Sequence, residues 1–282
     1  MKVGIVDVGG GNRGSFGAGV FDYCIDHQIE FSYVIGVSAG SANGVSYLSK
    51  QRGRNKQFYL EYSMRSEYMG IKNWIRKGVF LDLDYIYSAL SNSDGENPVD
   101  YDAFQNNPAQ LVVVSTNAET GKAEYFDKSD FAQDNYDVLK ASCCIPVICK
   151  PYFLRGKKYY DGGLSDPIPF KKAFADGCDK VIIILTRPKN EFRTSKGDLK
   201  TARLLERKNP QVANLIRNRC SLYNAQLKEA LQLEKENRVL ILAPDTIDGL
   251  STLDKDPVKL EALYQKGVVE AEKIHSFLVS RQ

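Results

Sequence analysis

Strand-length apolar runs alternate with helical segments in the first fifty residues. The runs Val3–Val8 and Phe31–Val37 each precede a glycine-rich turn, and helical segments follow at about 15–27 and 39–48. Two strand–loop–helix units this close together predict parallel strands joined by right-handed crossovers.

Similar patterns continue along the chain. Strands are expected at 111–115, 123–126, 158–160, 180–186 and 238–243, and helices at 58–69, 134–143 and 260–279. The sequence therefore predicts an α/β protein with a mostly parallel central sheet, flanked by helices on both sides.

Composition and charge restrict the classes of protein further. The chain has 282 residues, 43% of them hydrophobic and 26% charged, with a net charge of +3, which is typical of a globular domain. The longest apolar run, 181–185, is too short to span a membrane, and no signal-peptide pattern follows Met1. Six cysteines without disulfide or metal-site spacing indicate reduced thiols, so we expect a cytoplasmic protein without metal or cofactor.

A basic segment begins near Pro188. Residues 187–219 contain ten basic and three acidic residues. Two interpretations are open: a solvated surface helix, or a basic face for anionic lipid headgroups or a phosphate-bearing substrate. Nucleic acid is not an expected partner, because the segment lacks interleaved aromatic residues.

The turn Gly36-Val37-Ser38-Ala39-Gly40 has the form of a nucleophile elbow. In such a turn a strand passes sharply into a helix, and small neighbours let the serine hydroxyl project at the strand end. Ser38 is therefore a candidate nucleophile, and Gly36 and Gly40 provide the space for the turn. The alternative is a serine that only caps the helix.

The loop Gly9-Gly10-Gly11-Asn12-Arg13-Gly14 follows the first strand. Its backbone N–H groups could converge on an oxyanion, with Arg13 bracing the loop or lying near the developing charge. Arg13 in an ordinary surface salt bridge is the alternative. A dinucleotide site would require an acidic residue at the end of the second strand, where Ser38 stands instead.

A serine nucleophile requires a base, and one histidine and two aspartates are candidates. His275 would complete the order Ser38, Asp161, His275, although it lies in a regular amphipathic helix. Asp161, in the turn Asp161-Gly162-Gly163, could act directly on Ser38 if burial raises its pKa, or could belong to an ordinary hairpin turn. Asp7 is a rival carboxylate for which bracing the loop is the favoured role.

Taken together and in this order, the glycine loop, the serine turn and the Asp-Gly turn resemble the patatin-like phospholipases. The resemblance covers residues 3–186 and includes the segment from Ala141-Ser142 to Pro146. It implies a three-layer fold, a Ser38–Asp161 dyad without histidine, and an oxyanion hole from the amides of Gly10 and Gly11 in the loop of residues 9–14.

This resemblance implies a catalytic core over residues 1–186 and a C-terminal extension over 187–282 packed on it. It implies a lipid acyl hydrolase working through an acyl-enzyme. A short-chain carboxylesterase or thioesterase with the same dyad, and a non-catalytic lipid- or nucleotide-binding protein, are the alternatives.

The segment Ile71–Phe80 mixes the sole tryptophan, Trp74, with basic residues and large aliphatic residues. It predicts either an interfacial lid in peripheral contact with a membrane or a helix packed in the core beside the sheet.

Overall fold

The computed structural model describes residues 1–279. The strands are β1 (Val3–Asp7), β2 (Tyr33–Val37), β3 (Gln110–Asn117), β4 (Ala123–Asp127), β5 (Tyr152–Leu154), β6 (Lys157–Asp161), β7 (Lys180–Ile184) and β8 (Val239–Leu242). In the described part of the chain they form one sheet with the order β5-β6-β3-β2-β1-β7-β8, and β4 pairs with β3 off this path.

Helices surround this sheet. They are α1 (Ser15–Asp26), α2 (Ala39–Leu48), α3 (Arg54–Leu60), α4 (Ile71–Lys77), α5 (Tyr101–Asn106), α6 (Asp137–Ser142), α7 (Phe170–Ala175), α8 (Lys196–Leu205), α9 (Pro210–Lys235), α10 (Pro257–Ala271) and α11 (Lys273–Val279). Within residues 1–279, none of these helices has both the length and the apolar character needed to cross a bilayer.

The sheet is mixed but mostly parallel. Strands β1, β2, β3, β7 and β8 pair in parallel, whereas β4, β5 and β6 pair in antiparallel register. The predicted α/β class with a mostly parallel sheet is confirmed. The short strand β5 was missed by the sequence analysis because three partly exposed residues carry no periodic pattern.

Successive residues of each central strand enter two separate cores. Ile5 and Val34 pack with α1, α2 and α10 on one face, whereas Val6 and Ile35 pack with α7 and α9 on the other. This alternation follows from the two-residue period of a strand. Because both faces are covered, the central strands are apolar throughout and the fold has three layers.

Two predicted helices differ from those observed. The helix predicted at 58–69 begins instead at Arg54, after Gly53 in a left-handed conformation with φ 81°, and ends at Leu60. A short 3-10 turn, Tyr62–Met64, then places its own residues in the core. The helix predicted at 260–279 divides at Glu272 into α10 and α11.

The C-terminal part of the chain packs directly on the rest. Strand β8 extends the sheet beside β7, and α10 crosses α1 at a glycine contact. A Cβ atom at Gly267 would lie 2.0 Å from the carbonyl oxygen of Phe16, so the two backbones touch. Positions 280–282 of the predicted extension lie outside the described residues.

Candidate active site

The candidate site lies at the carboxyl edge of three neighbouring parallel strands. The glycine loop follows β1, Ser38 follows β2, and Thr186 and Arg187 follow β7. The carboxyl ends of parallel strands share one edge of a sheet, which is where open α/β sheets bind ligands. These loops line a cavity of about 380 Å³.

The Ser38 turn is tight and strained. Ser38 has φ 55° and ψ −131°, a conformation that residues other than glycine rarely adopt, and it is 6% exposed. A Cβ atom at Gly36 would lie 2.3 Å from Cα of Ser41, and one at Gly40 would lie 2.3 Å from the carbonyl oxygen of Asp7. Glycine is therefore required on both sides of the serine.

Sheet register places Asp161 beside Ser38. Val37 pairs with Val114 on β3, and the next residue of β3, Ser115, pairs with Asp161 at the end of β6. Ser38 and Asp161 therefore lie at the same position along the strand direction, one on each side of β3. The Gly163 N–H donates to Oδ1 of Asp161 at 2.8 Å and holds the carboxyl in the turn.

Burial raises the pKa of Asp161 above its ordinary value. Hydrogen bonding from the Ser38 hydroxyl and the Gly163 N–H opposes this shift, as do the positive charges of Arg219 and Arg193. The structure thus brings the side chains of Ser38 and Asp161 together in a partly desolvated environment. A carboxylate of raised pKa is a stronger base than an exposed one.

Ser142, on α6, joins the serine turn to the sheet. Its hydroxyl accepts the Ser38 N–H at 2.9 Å and donates to the carbonyl of Val114 at 2.7 Å. The backbone of Ser38 is thereby fixed to β3, the strand that also pairs with Asp161. The sequence resemblance includes this serine but did not assign it a role.

The glycine loop opens onto the same cavity. Gly9, Gly10 and Gly11 all have positive φ, at 63°, 131° and 60°. The Thr186 hydroxyl donates to the Gly9 carbonyl at 2.5 Å. Within residues 1–279 the N–H groups of Gly10 and Gly11 donate to no protein acceptor. Gly14 lies behind the loop, does not line the cavity, and accepts a hydrogen bond through its carbonyl from Asn43.

Asp7 braces this loop from below. Its carboxyl is fully buried and accepts hydrogen bonds from the Gly9 N–H at 2.9 Å and the Asn43 side-chain amide at 2.8 Å. Burial raises the pKa of Asp7 to about 6. It does not line the cavity, so its position fits the favoured bracing role.

Arg13 is buried and makes no salt bridge with any residue in the described range 1–279. It is 2% exposed, and its Nη1 donates to the Thr252 hydroxyl at 3.2 Å. A Cβ atom at Gly10 would lie 3.4 Å from Arg13 Nη2, so the guanidinium adjoins the glycine loop. Burial, followed by repulsion from Arg187 and Arg193, lowers the pKa of Arg13 to about 9.

The two histidines pack against each other instead of against Ser38. Their ring centroids are 5.7 Å apart, and His27 stacks on Tyr23 at 4.0 Å at the end of α1. Neither His27 nor His275 lines the cavity. The structure therefore does not support the histidine triad that the order Ser38, Asp161, His275 left open.

Cys143 lies next to the serine but is not a competing nucleophile. Its thiol is 3.0 Å from the Tyr87 hydroxyl, and burial raises the pKa of Cys143 to about 12. A thiol with this pKa is protonated at neutral pH, and only the thiolate is nucleophilic.

Ser38 separates two regions of different character. The 380 Å³ cavity on one side, which we call the arginine pocket, is lined by four arginines: Arg13, Arg187, Arg193 and Arg219. A narrower recess on the other side, which we call the apolar pocket, is lined by side chains that include Phe58, Met69, Leu81, Leu83, Ile86 and Cys143. Sequence analysis assigned none of these residues except Arg13, and only the excess of basic residues over 187–219 hinted at the pocket.

Helix α4 projects beside the apolar pocket. Met69 and Leu81, which line that pocket, form a bridge at the base of the segment that carries α4. Trp74 is 46% exposed and Ile75 is 78% exposed. The alternative in which this segment packs in the core is therefore wrong, because the helix turns its apolar side chains outward.

With this geometry in view, comparison with known proteins identifies the family. A family model described as patatin-like phospholipase matches residues 8–174. The chain belongs to this family. The match covers the glycine loop, the serine turn and the Asp-Gly turn, and membership of the patatin-like phospholipases supports a lipid hydrolase function in general terms.

Other similarities extend beyond the patatin-like region. A domain of unknown function (DUF6363) matches residues 209–276. The uncharacterised protein YjjU of Escherichia coli (strain K12) is 28% identical over 206 residues, which are 68% of this chain and 54% of YjjU. The chain thus spans about half the length of this relative.

The crystal structure of VipD from Legionella pneumophila is similar in fold. It has a TM-score of 0.54 and 15% identity, over 98% of this chain and 67% of the VipD chain. At this identity the similarity concerns the fold, which VipD shares with the patatin-like architecture described above.

Proposed function

We propose that this protein is a lipid acyl hydrolase in which Ser38 is the nucleophile and Asp161 is the base. One observation carries this proposal: Ser38 and Asp161 line the same cavity, and the nearby Ser38 hydroxyl lowers the pKa of a carboxyl that burial otherwise raises. A serine becomes a useful nucleophile when an adjacent base accepts its proton.

The reaction proceeds in two steps. Asp161 accepts the hydroxyl proton as Ser38 Oγ attacks the ester carbonyl carbon, and the alcohol leaves with a proton from Asp161. Water then attacks the acyl-enzyme as Asp161 takes its proton, and the fatty acid leaves as Ser38 recovers its hydroxyl. In this proposal the free N–H groups of Gly10 and Gly11 hold the oxyanion, each donor stabilising it by about 3–4 kcal/mol.

A mutant series tests the dyad. Ser38→Ala and Asp161→Asn should each lower kcat for a p-nitrophenyl ester at least about a thousandfold while the melting temperature stays near that of the wild type. Fluorophosphonate labelling should disappear in Ser38→Ala. Ser49→Ala, the same change at the far end of α2, and His275→Ala should both retain activity.

Two results would contradict this assignment. A loss in His275→Ala as large as that in Asp161→Asn would restore the triad. A wild-type protein that neither hydrolyses esters nor reacts with the fluorophosphonate would be a binding protein. A series of acyl chain lengths separates a lipid hydrolase from the short-chain esterase or thioesterase alternative.

We also propose that α4 rests on a membrane surface. Trp74, Ile71 and Ile75 are exposed on one short helix that also carries Lys72 and Arg76. Exposed aromatic and aliphatic side chains flanked by cations are typical of segments that lie at an anionic lipid interface. The position of α4 beside the apolar pocket would let an acyl chain pass from the bilayer toward Ser38.

We further propose that the catalytic core and the C-terminal extension contribute different parts of the site. Residues 1–186 supply the dyad, the oxyanion hole and Arg13, and the extension over residues 187–282 supplies Arg187, Arg193 and Arg219. The extension acts as part of the site because Thr252 contacts both Asn12 and Arg13.

A further inference from the structure

The arginine pocket holds more positive charge than its own carboxylates balance. Four arginines and two aspartates, Asp161 and Asp198, line it. Asp198 forms an ion pair with Arg219, and Glu191 pairs with Arg187 from the exposed rim at 3.2 Å. Four arginines thus face three carboxylates, Asp161, Asp198 and Glu191, and positive charge remains in excess.

Arg13 and Arg193 carry that excess. Within residues 1–279, neither has a carboxylate at ion-pair distance. Arg193 lies over the ring of Tyr223 at 4.8 Å, an arrangement that fixes the guanidinium plane and leaves its N–H groups free. The Nε atoms of Arg13 and Arg187 are buried and have no hydrogen-bond partner in the described structure.

Uncompensated guanidinium groups of this kind are costly in a folded protein. Burial is the first cause that lowers the pKa values of Arg13 and Arg193, to about 9 and about 10, and repulsion from neighbouring arginines adds to it. Both groups remain charged at neutral pH, so the pocket brings like charges together and leaves donors unsatisfied. Such an arrangement is stabilised when an anion binds and accepts these hydrogen bonds.

We propose that Arg13, Arg187, Arg193 and Arg219 form a subsite for the phosphate monoester of an anionic lipid substrate. This inference rests on the proposed function, because it assigns the headgroup end of the substrate that Ser38 would cleave. A phosphate monoester carries a charge between −1.5 and −2 near neutral pH and can accept hydrogen bonds from both arginines that are unpaired within residues 1–279, Arg13 and Arg193. Planar guanidinium groups bind its oxygens in pairs.

The position of the subsite is consistent with an acyl chain bound in the apolar pocket, which also adjoins Ser38. The apolar pocket adjoins the arginine pocket, with Ser38 in the lining of both. An ester whose acyl chain occupies the apolar pocket would direct its polar headgroup toward the arginines. A monoacyl glycerol phosphate, or lysophosphatidate, has this arrangement of tail, ester and phosphate.

Direct binding to an inert variant tests the subsite. Ser38→Ala protein is titrated calorimetrically with hexanoyl lysophosphatidate, and with the matched monoacylglycerol that lacks the phosphate. Lysophosphatidate should bind at least tenfold more tightly. Adding Arg193→Gln should weaken lysophosphatidate binding at least tenfold, and Arg193→Lys should have an intermediate effect, because lysine keeps the charge but loses the planar fork.

Arg203→Gln is the matched control. It removes the same charge from the same extension, but Arg203 is exposed on α8 and does not line the pocket. Its affinity for lysophosphatidate should stay within twofold of the parent protein. Thermal unfolding of each variant verifies that the fold is retained, and Arg187→Gln serves as a second variant if Arg193→Gln unfolds.

The source of the phosphate is decided by two further ligands. If glycerol 3-phosphate or inorganic phosphate competes at the same concentration as lysophosphatidate, the site binds soluble phosphate monoesters. If only the lipid binds, the phosphate belongs to a lipid headgroup. Both results support phosphate recognition by the arginines.

Other results would overturn the proposal. They are equal affinity for lysophosphatidate and monoacylglycerol, equal weakening by Arg203→Gln, or tighter binding of lysophosphatidylcholine, whose phosphate is a diester. Failure of the proposed hydrolase activity can be distinguished from failure of the subsite. In that case wild-type protein would show no fluorophosphonate labelling, although Ser38→Ala protein could still bind lysophosphatidate.

Discussion

The two pockets beside Ser38 draw on partly different segments of the chain and differ in charge: arginines line one, whereas no charged residue of the described chain lines the other. The largest group of residues lining the apolar pocket comes from residues 58–87, close in sequence to the serine turn. The arginine pocket obtains three of its four arginines from residues 187–219. One side of the site therefore removes hydrocarbon from water, and the other holds charge that requires an anionic partner.

This difference indicates how one site distinguishes the two ends of an amphipathic ester. Apolar contacts contribute affinity in proportion to the buried area and impose little direction. Guanidinium groups contribute direction, because each donor requires an acceptor at a defined position. Together the two pockets would orient the ester carbonyl between Ser38 and the glycine loop.

Filling the apolar pocket should give the largest effect of the variants outside the dyad. Leu83→Trp places an indole where a chain would lie, and displacing four methylenes costs about 3 kcal/mol at about 0.8 kcal/mol each. The value of kcat/KM for a p-nitrophenyl ester of a long acyl chain should fall about a hundredfold, and that for the acetyl ester should fall far less.

Leu204→Trp, at an exposed position of α8, is the control and should leave both esters unaffected. Leu83→Phe provides a milder change if the larger residue prevents folding. Equal losses with acetyl and long-chain esters would show that the recess does not hold the acyl chain.

A mutation in α4 should weaken membrane binding, but by a smaller factor than the loss predicted for Leu83→Trp. Trp74→Ala should weaken partitioning onto vesicles containing anionic phosphatidylglycerol about fivefold to tenfold, because the exposed ring is a main apolar contact of α4. Sedimentation with vesicles measures this directly. Phe153→Ala, which removes an even more exposed aromatic ring on β5, should change nothing. Unchanged binding of Trp74→Ala would exclude α4 as the contact.

The smallest effect should be a change in the pH dependence of kcat/KM when a charge of the arginine pocket is removed. Asp161 acts as the carboxylate, so kcat/KM should fall as the pH decreases through its pKa. Burial raises that pKa above the usual value of about 4. Arg219 lowers the pKa of Asp161, so Arg219→Gln should move the acid limb upward by a few tenths of a pH unit, and less at high salt.

A neutral substrate, p-nitrophenyl butyrate, keeps ionisation of the ester out of this profile. Arg203→Gln should leave the acid limb in place. If the acid limb moved to lower pH in Arg219→Gln, or moved by the same amount in both variants, the positive charge of Arg219 would not be what lowers the pKa of Asp161.

Much of the core was predictable because its signals are local. The apolar runs at β1, β2 and β7 and the glycine turns after β1 and β2 can each be recognised within ten residues, and the α/β class with parallel strands follows from them. The exposed face of α4 was not decided, because a short segment of mixed residues has the same pattern whether it lies inside or outside.

Contacts between residues far apart in sequence could not be predicted from local patterns. The order His275 after Asp161 suggested a triad, but helix packing places His275 against His27. Ser142 received no role because its hydroxyl has no partner until α6 is set beside β3.

The sequence by itself determined the α/β class, the serine turn and the glycine loop, and its resemblance to the patatin-like phospholipases indicated the carboxyl group that we propose as the base. Only the tertiary structure decided that Arg187, Arg193 and Arg219 converge on Arg13 and that Asp161 reaches the level of Ser38. The physical reason is that turns and periodicity are set by neighbouring residues, whereas strand order and register bring together side chains more than a hundred positions apart.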